Sequence, residues 1–139
     1  MNGVARAEAA APSLFLAFDF GTRRIGVASG NSITRTASVL TMLAQASEDA
    51  RFAAIGKLIA EWRPGALVVG VPRHPDGAPH DNTRRAERFA RQLRGRFGLP
   101  VHEVDERYTT TEALASGAKD LDAASAALIL EQYFNQSTA

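Results

Sequence analysis

The sequence contains no cysteine. Disulfide staples and thiolate zinc sites are therefore excluded, and the chain agrees with a reducing compartment. It has no apolar run long enough to span a bilayer. The Ala-rich stretch from Met1 to Pro12 carries Arg6 and Glu8, so it reads as neither a signal peptide nor an anchor. A cytoplasmic location is the expectation. Lysine is almost missing: fourteen of the sixteen basic residues are Arg. Arg offers a planar donor fork that grips phosphates bidentately, although a GC-rich genome produces the same bias. Neither sign of charge dominates; at a net charge of +1, charge alone names no partner. Internal repeats and inner linkers are also absent.

What is present suits one domain. The 139 residues are 45% hydrophobic and 22% charged, enough to bury a core without staples. The expectation is a loose tail over 1–12 and a single domain over 13–137. Ser13–Asp19 and Arg24–Gly30 read as strands joined by a tight turn at Gly21-Thr22-Arg23, and Thr34–Met42 as a third, completing an antiparallel meander. Phe52, Ile55, Ile59 and Trp62 recur at helical spacing. Ala66–Val71 is a short continuous apolar run, as in a strand covered on both faces. A polar loop, Pro72–Asn82, leads to an amphipathic helix over Asp81–Phe97 and a strand over Leu99–Val104. Thr109-Thr110-Thr111-Glu112 matches a capping box, and Asp120–Phe134 forms a last apolar helix. The order β-β-β-α-β-α-β-α-α predicts an α/β fold, one five-stranded mixed sheet with helices on both faces.

In such sheets ligands gather beyond the carboxyl ends of the parallel strands. Asp19 ends the first strand there, in Phe18-Asp19-Phe20-Gly21-Thr22, and Glu106 follows the strand ending at Val104. Asp122 opens a helix whose next five residues, Ala123 to Ala127, are all small, so that helix can press close to the sheet. Crowded carboxylates repel unless a cation neutralises them. Oxygen-only ligands without Cys favour one or two Mg2+ or Mn2+ ions. Two such ions about 3.5–4 Å apart clamp the attacking and leaving oxygens of a phosphodiester displacement. Each residue also has a plainer reading. Asp19 serves equally as a turn residue, Glu106 as a solvated surface charge, and Asp120 or Asp122 as a helix cap.

Four ordered motifs over Leu14–Phe134 resemble the YqgF/RuvX family. They are Asp19-Phe20-Gly21-Thr22-Arg23-Arg24-Ile25-Gly26-Val27-Ala28, Val69-Gly70-Val71-Pro72 with Asp76-Gly77, Asp105-Glu106-Arg107-Tyr108-Thr109-Thr110, and Leu121-Asp122-Ala123-Ala124-Ser125-Ala126. Members of that family are assigned as Holliday junction resolvases or as pre-16S rRNA 5′-end nucleases. The resemblance implies an RNase H-like fold and a metal-dependent nuclease in which Asp19, Glu106 and Asp122 are the catalytic, metal-binding triad. It implies substrate phosphate contacts for Arg107 and for Arg23 or Arg24; pairing of such arginines with Asp105 or Glu103 is the structural alternative. One departure is a connection of only fifteen residues between Glu106 and Asp122, shorter than in many members.

The helix over Asp81–Phe97 carries six arginines against Asp81 and Glu87. Among them Arg84, Arg88 and Arg91 form a stripe that suits a nucleic-acid backbone, or simply a solvated face. His74, His80 and His102 are too scattered for a metal site; the first two, in the polar loop, are placed to touch substrate. The leading expectation is pre-16S rRNA 5′-end processing in ribosome biogenesis, by a monomer or weak homodimer. Junction resolution in DNA recombination and repair, the alternative, takes symmetric cuts that favour a stable dimer, and the sequence has no obvious dimerisation helix. A non-catalytic nucleic-acid-binding module and an ATPase-like phosphate turn at Asp19–Thr22 are the other readings; the ATPase needs a second domain for which the chain has no room.

Overall fold

The computed structural model describes residues 13–73, 76, 78, 82–106 and 121–136. The expected tail, the capping box at Thr109–Glu112, His74, His80 and Arg107 lie outside them. Five strands, β1 (Leu14–Phe20), β2 (Ile25–Asn31), β3 (Thr36–Leu43), β4 (Ala66–Val71) and β5 (Val101–Asp105), form one sheet. The described helices are α1 (Glu48–Trp62), α2 (Thr83–Phe97) and α3 (Leu121–Gln136).

The sheet order is β3-β2-β1-β4-β5, with β1, β2 and β3 antiparallel and β1, β4 and β5 parallel. This is the mixed sheet expected from the strand pattern. The crossovers from β3 to β4 and from β4 to β5 run the same way along it, so a common right-handed sense puts α1 and α2 on one face. The chain after β5 supplies α3 to the other.

Local chemistry sets the element ends. Ser47 caps α1, its hydroxyl accepting from the Ala50 N–H at 3.1 Å, and Glu48 and Asp49 favour the positive end of the helix dipole. The α1 helix stops at Arg63, which turns left-handed just before Pro64. Gly98, at φ 66°, closes α2. The third strand begins two residues later than its composition suggests, because residues 32–35 turn through a left-handed Arg35. Similarly, α2 starts at Thr83 rather than Asp81, with the Thr83 hydroxyl donating to the Pro72 carbonyl. Pro100 precedes β5 and offers only its carbonyl, which accepts from the Leu67 N–H at 2.8 Å.

Two cores result from strand alternation. Leu16 and Phe18 of β1 point to the α1/α2 face, among Phe52, Ile55, Phe89 and Leu93. Phe15 and Ala17 point the other way, onto Ile129, Leu130 and Phe134 of α3. Each large buried side chain contributes about 1.5–3 kcal/mol. Among the described residues no helix is long and apolar enough to cross a membrane.

Candidate active site at the carboxyl edge

Alternation along β1 gives Asp19 the same side as Phe15 and Ala17, which is the α3 side. In the ladder Asp19 stands opposite Gly26 of β2 and Gly70 of β4, so neither neighbour carries a side chain beside the carboxylate. Gly70 in turn is level with Val104 of β5. One turn of chain later comes Glu106, whose N–H donates to the Val71 carbonyl at 3.2 Å. That bond extends the β4–β5 pairing and aims the residue back over the sheet.

Glu106 is only 4% exposed, so a solvated surface role is ruled out. Its carboxyl lies above Gly70: a Cβ on that glycine would stand 3.1 Å from Glu106 Cδ and would collide with Ile129 Cδ1. Gly70 is therefore the floor of the site, and the apolar run Val68-Val69-Gly70-Val71 hinted at it, since a glycine inside a strand often marks a close approach. From the far side, the Gln132 amide of α3 donates to the Asp105 carbonyl at 3.1 Å, holding the helix against the end of β5.

Burial pushes the Glu106 carboxyl up to about 9, with help from the charge of Asp19, a hydrogen bond to Asp19 and the charge of Asp105. At neutral pH Glu106 keeps its proton and shares it with Asp19. Its Oε2 is buried with no hydrogen-bond partner. A buried oxygen left unpaired costs about 1–3 kcal/mol, a cost that a group bound there would relieve. The donor set of carboxylate oxygens suits a hard divalent ion that would displace the proton.

Asp122 lies in the first turn of α3, three and four residues ahead of the buried Ser125 and Ala126 and two turns ahead of Ile129. Its side chain lies outside the described residues. Among the described residues no group of three or more His, Asp or Glu comes together. Arg23 and Arg24 are exposed in the β1–β2 turn at the same edge. That turn requires Gly21, where a Cβ would meet the Arg24 carbonyl oxygen at 2.5 Å.

The arginines of α2 are elsewhere. Phe89, Ala90 and Leu93 bury α2 on the α1/α2 face, so the sheet separates Arg84, Arg88 and Arg91 from the side on which Asp19 projects. All three are exposed. Arg94 instead pairs with Glu103 at 3.2 Å, and Arg96 lies 4.1 Å over the Phe52 ring. His102 stacks on Tyr133 at 5.0 Å, a packing role.

The chain matches known proteins along nearly all of the described region. A relative from Polaromonas sp., provisionally named a pre-16S rRNA nuclease, is 66% identical over 119 residues, covering 86% of each chain. A relative of the same name from Paraburkholderia phymatum is 53% identical over 141 residues, covering 97% of this chain and 91% of that one. The solved structure of T. thermophilus RuvC in complex with Holliday junction substrate superposes with a TM-score of 0.60, covering 91% of this chain and 96% of that one. At 16% identity that likeness shows the fold alone, an RNase H-like one. The family model described as RuvX, Holliday junction resolvase, matches residues 13–136. On that match and the two close relatives, this chain belongs to the RuvX family.

Proposed function

We propose that this chain is a metal-dependent endonuclease that hydrolyses phosphodiester bonds in structured RNA, acting at the 5′ end of pre-16S rRNA in the cytoplasm. The supporting observation is the buried Asp19–Glu106 pair, with its retained proton and its orphaned Glu106 Oε2. In this reading Asp19, Glu106 and Asp122 hold one or two Mg2+ or Mn2+ ions. When bound, such an ion neutralises charge on the scissile phosphate and activates water for in-line attack. The protein's own part is positional. Gly26 and Gly70 put no side chain beside Asp19 in the ladder, and Glu106 would release its proton to solvent on cation binding. Arg107 adjoins Glu106 in sequence and Arg23 and Arg24 follow Asp19 in the β1–β2 turn, and we assign these three arginines the flanking phosphates. The functional unit is one domain over 13–137, acting as a monomer or weak homodimer.

The names of the relatives favour precursor rRNA. The family description favours a second reading, resolution of four-way DNA junctions. Both substrates, offered to the purified chain with Mg2+ or Mn2+, separate them. Cleavage of 5′-extended pre-16S rRNA, lost in Asp19→Asn and Glu106→Gln, is the expected result. Symmetric cutting of the junction alone would move the assignment to resolution. RNA binding that survives chelation and the Asp19→Asn change, without cleavage, would leave a binding module. If both substrates stay intact, or Asp19→Asn is as active as wild type, the nuclease reading fails.

A further inference from the structure

A groove of about 180 Å³ opens on the α1/α2 face, directly behind the acid pair. Phe20, the residue after Asp19, lines it together with Arg51 of α1 and Arg85 and Arg88 of α2. Three guanidinium groups face one acid, Glu48, whose carboxylate is already engaged by the Gln92 amide at 2.8 Å. Arg51 is held in place by the backbone: its Nη2 donates to the Thr22 carbonyl at 3.0 Å and to the Gln45 carbonyl at 3.4 Å, while its Nε is buried without an acceptor. Arg85 leans on the Asn82 side chain at 3.1 Å, and Arg88 has no ion pair among the described residues. A preorganised cationic groove with an unanswered charge is a receptor for an anion.

We infer that this groove, built by Arg51, Arg85 and Arg88 around Phe20, binds one backbone phosphodiester of the nucleic acid that lies on the acid pair. The inference rests on the nucleic-acid reading above. Asp19 and Phe20 are consecutive, so their Cα atoms are about 3.8 Å apart, yet their side chains leave opposite faces of the sheet. A strand crossing the carboxyl edge therefore meets the acids on one side and this groove on the other. The turn carrying Thr22, which both borders the edge and holds Arg51, joins the two. Arg84 and Arg91, on the same helix, do not line the groove.

The test is binding of a short labelled single-stranded RNA to the full chain, without divalent ions, over a series of salt concentrations. In Arg85→Gln/Arg88→Gln, affinity should fall about tenfold, as expected for losing charge-assisted hydrogen bonds. The slope of log K against log salt should shrink by about 0.7, the value for one phosphate on a single strand. Arg84→Gln/Arg91→Gln removes the same charge and should change both far less. Equal losses in the two double variants would reduce the groove to diffuse attraction and overturn the inference, as would an unchanged slope in the first. A chain that binds RNA in this Arg85/Arg88-dependent way but never cleaves it would sink the nuclease reading and leave the groove standing. Cleavage that persists with an unchanged slope would do the reverse. If wild type binds no nucleic acid at all, both fall.

Discussion

The two faces of the sheet solve different packing problems. On the α1/α2 face, β1 presents Leu16, Phe18 and Phe20, and the helices answer with Phe52, Ile55, Phe89 and Leu93, a thick apolar layer. On the α3 face the sheet is thin. Gly26, Ala28 and Gly30 of β2, Ala17 of β1 and Gly70 of β4 leave almost no side chain, and α3 brings Ser125 and Ala126 down to meet them. A Cβ at Gly30 would stand 2.6 Å from Leu130 Cδ2 and 3.2 Å from Phe134 Cε2. One face is built for stability by volume. The other gives up volume to bring a helix close, and the two carboxylates occupy the end of that shallow trough. Burial there is the main cause that raises Glu106, so the thin face keeps that carboxyl protonated at neutral pH.

The contrast can be broken on either side. The largest effect should come from the trough: on the proposed reading, Asp19→Asn removes a ligand of an ion that would supply several kcal/mol of transition-state stabilisation. Cleavage of precursor rRNA should fall roughly a thousandfold or more, with the fold intact by circular dichroism. On the thick face, Phe89→Ala removes a ring that touches Phe18, Phe20 and Phe52, at centroid distances of 5.9, 5.1 and 5.8 Å. It should cost about 3–5 kcal/mol in urea unfolding. Gly70→Ala tests the opposite error, overpacking of the thin face against Ile129 and Glu106, and should cost about 1–3 kcal/mol. If Gly70→Ala is neutral, the close approach of α3 is not what shapes the site.

The smallest and most specific effect concerns pH. Glu106 titrates near 9 in the fold against an ordinary 4.5. The folded chain therefore holds a proton that the unfolded chain releases above about 4.5, and stability should decline as pH rises from there through about 9. Glu106→Gln should flatten that decline and raise the melting midpoint of the metal-free protein at pH 8. Magnesium or manganese should stabilise wild type at that pH and leave the Gln variant little changed. Thermal melts across the pH range check all three. A wild-type stability that climbs with pH over this window would mean that Glu106 is ionised and satisfied in the metal-free protein.

Strand and helix positions were legible from sequence because their signals are local. The continuous apolar run Ala66–Val71 has the same bounds as β4, and the third strand moved by two residues where a turn intervened at Arg35, while the first turn of α1, ahead of Phe52 and capped by Ser47, was not read. Asp19 was legible too, as a lone acid closing an apolar strand. Glu106 was legible as a motif residue but not as a buried one. Its neighbours Glu103, Asp105 and Arg107 make the segment look solvated, and nothing within it says otherwise. The arginine stripe of α2 was legible as a stripe, but an amphipathic helix does not announce which side of a sheet it will cover.

The chain by itself determined its strand alternation and its family, since each is written in short stretches of neighbouring residues. Tertiary structure alone decided that Glu106 is buried over Gly70 beside Ile129, that it meets Asp19 across the intervening β4, and that the α2 arginines gather behind the sheet. The reason is distance along the chain: burial and electrostatic coupling are properties of neighbours in space, and here those neighbours come from β1, β4, β5 and α3 at once.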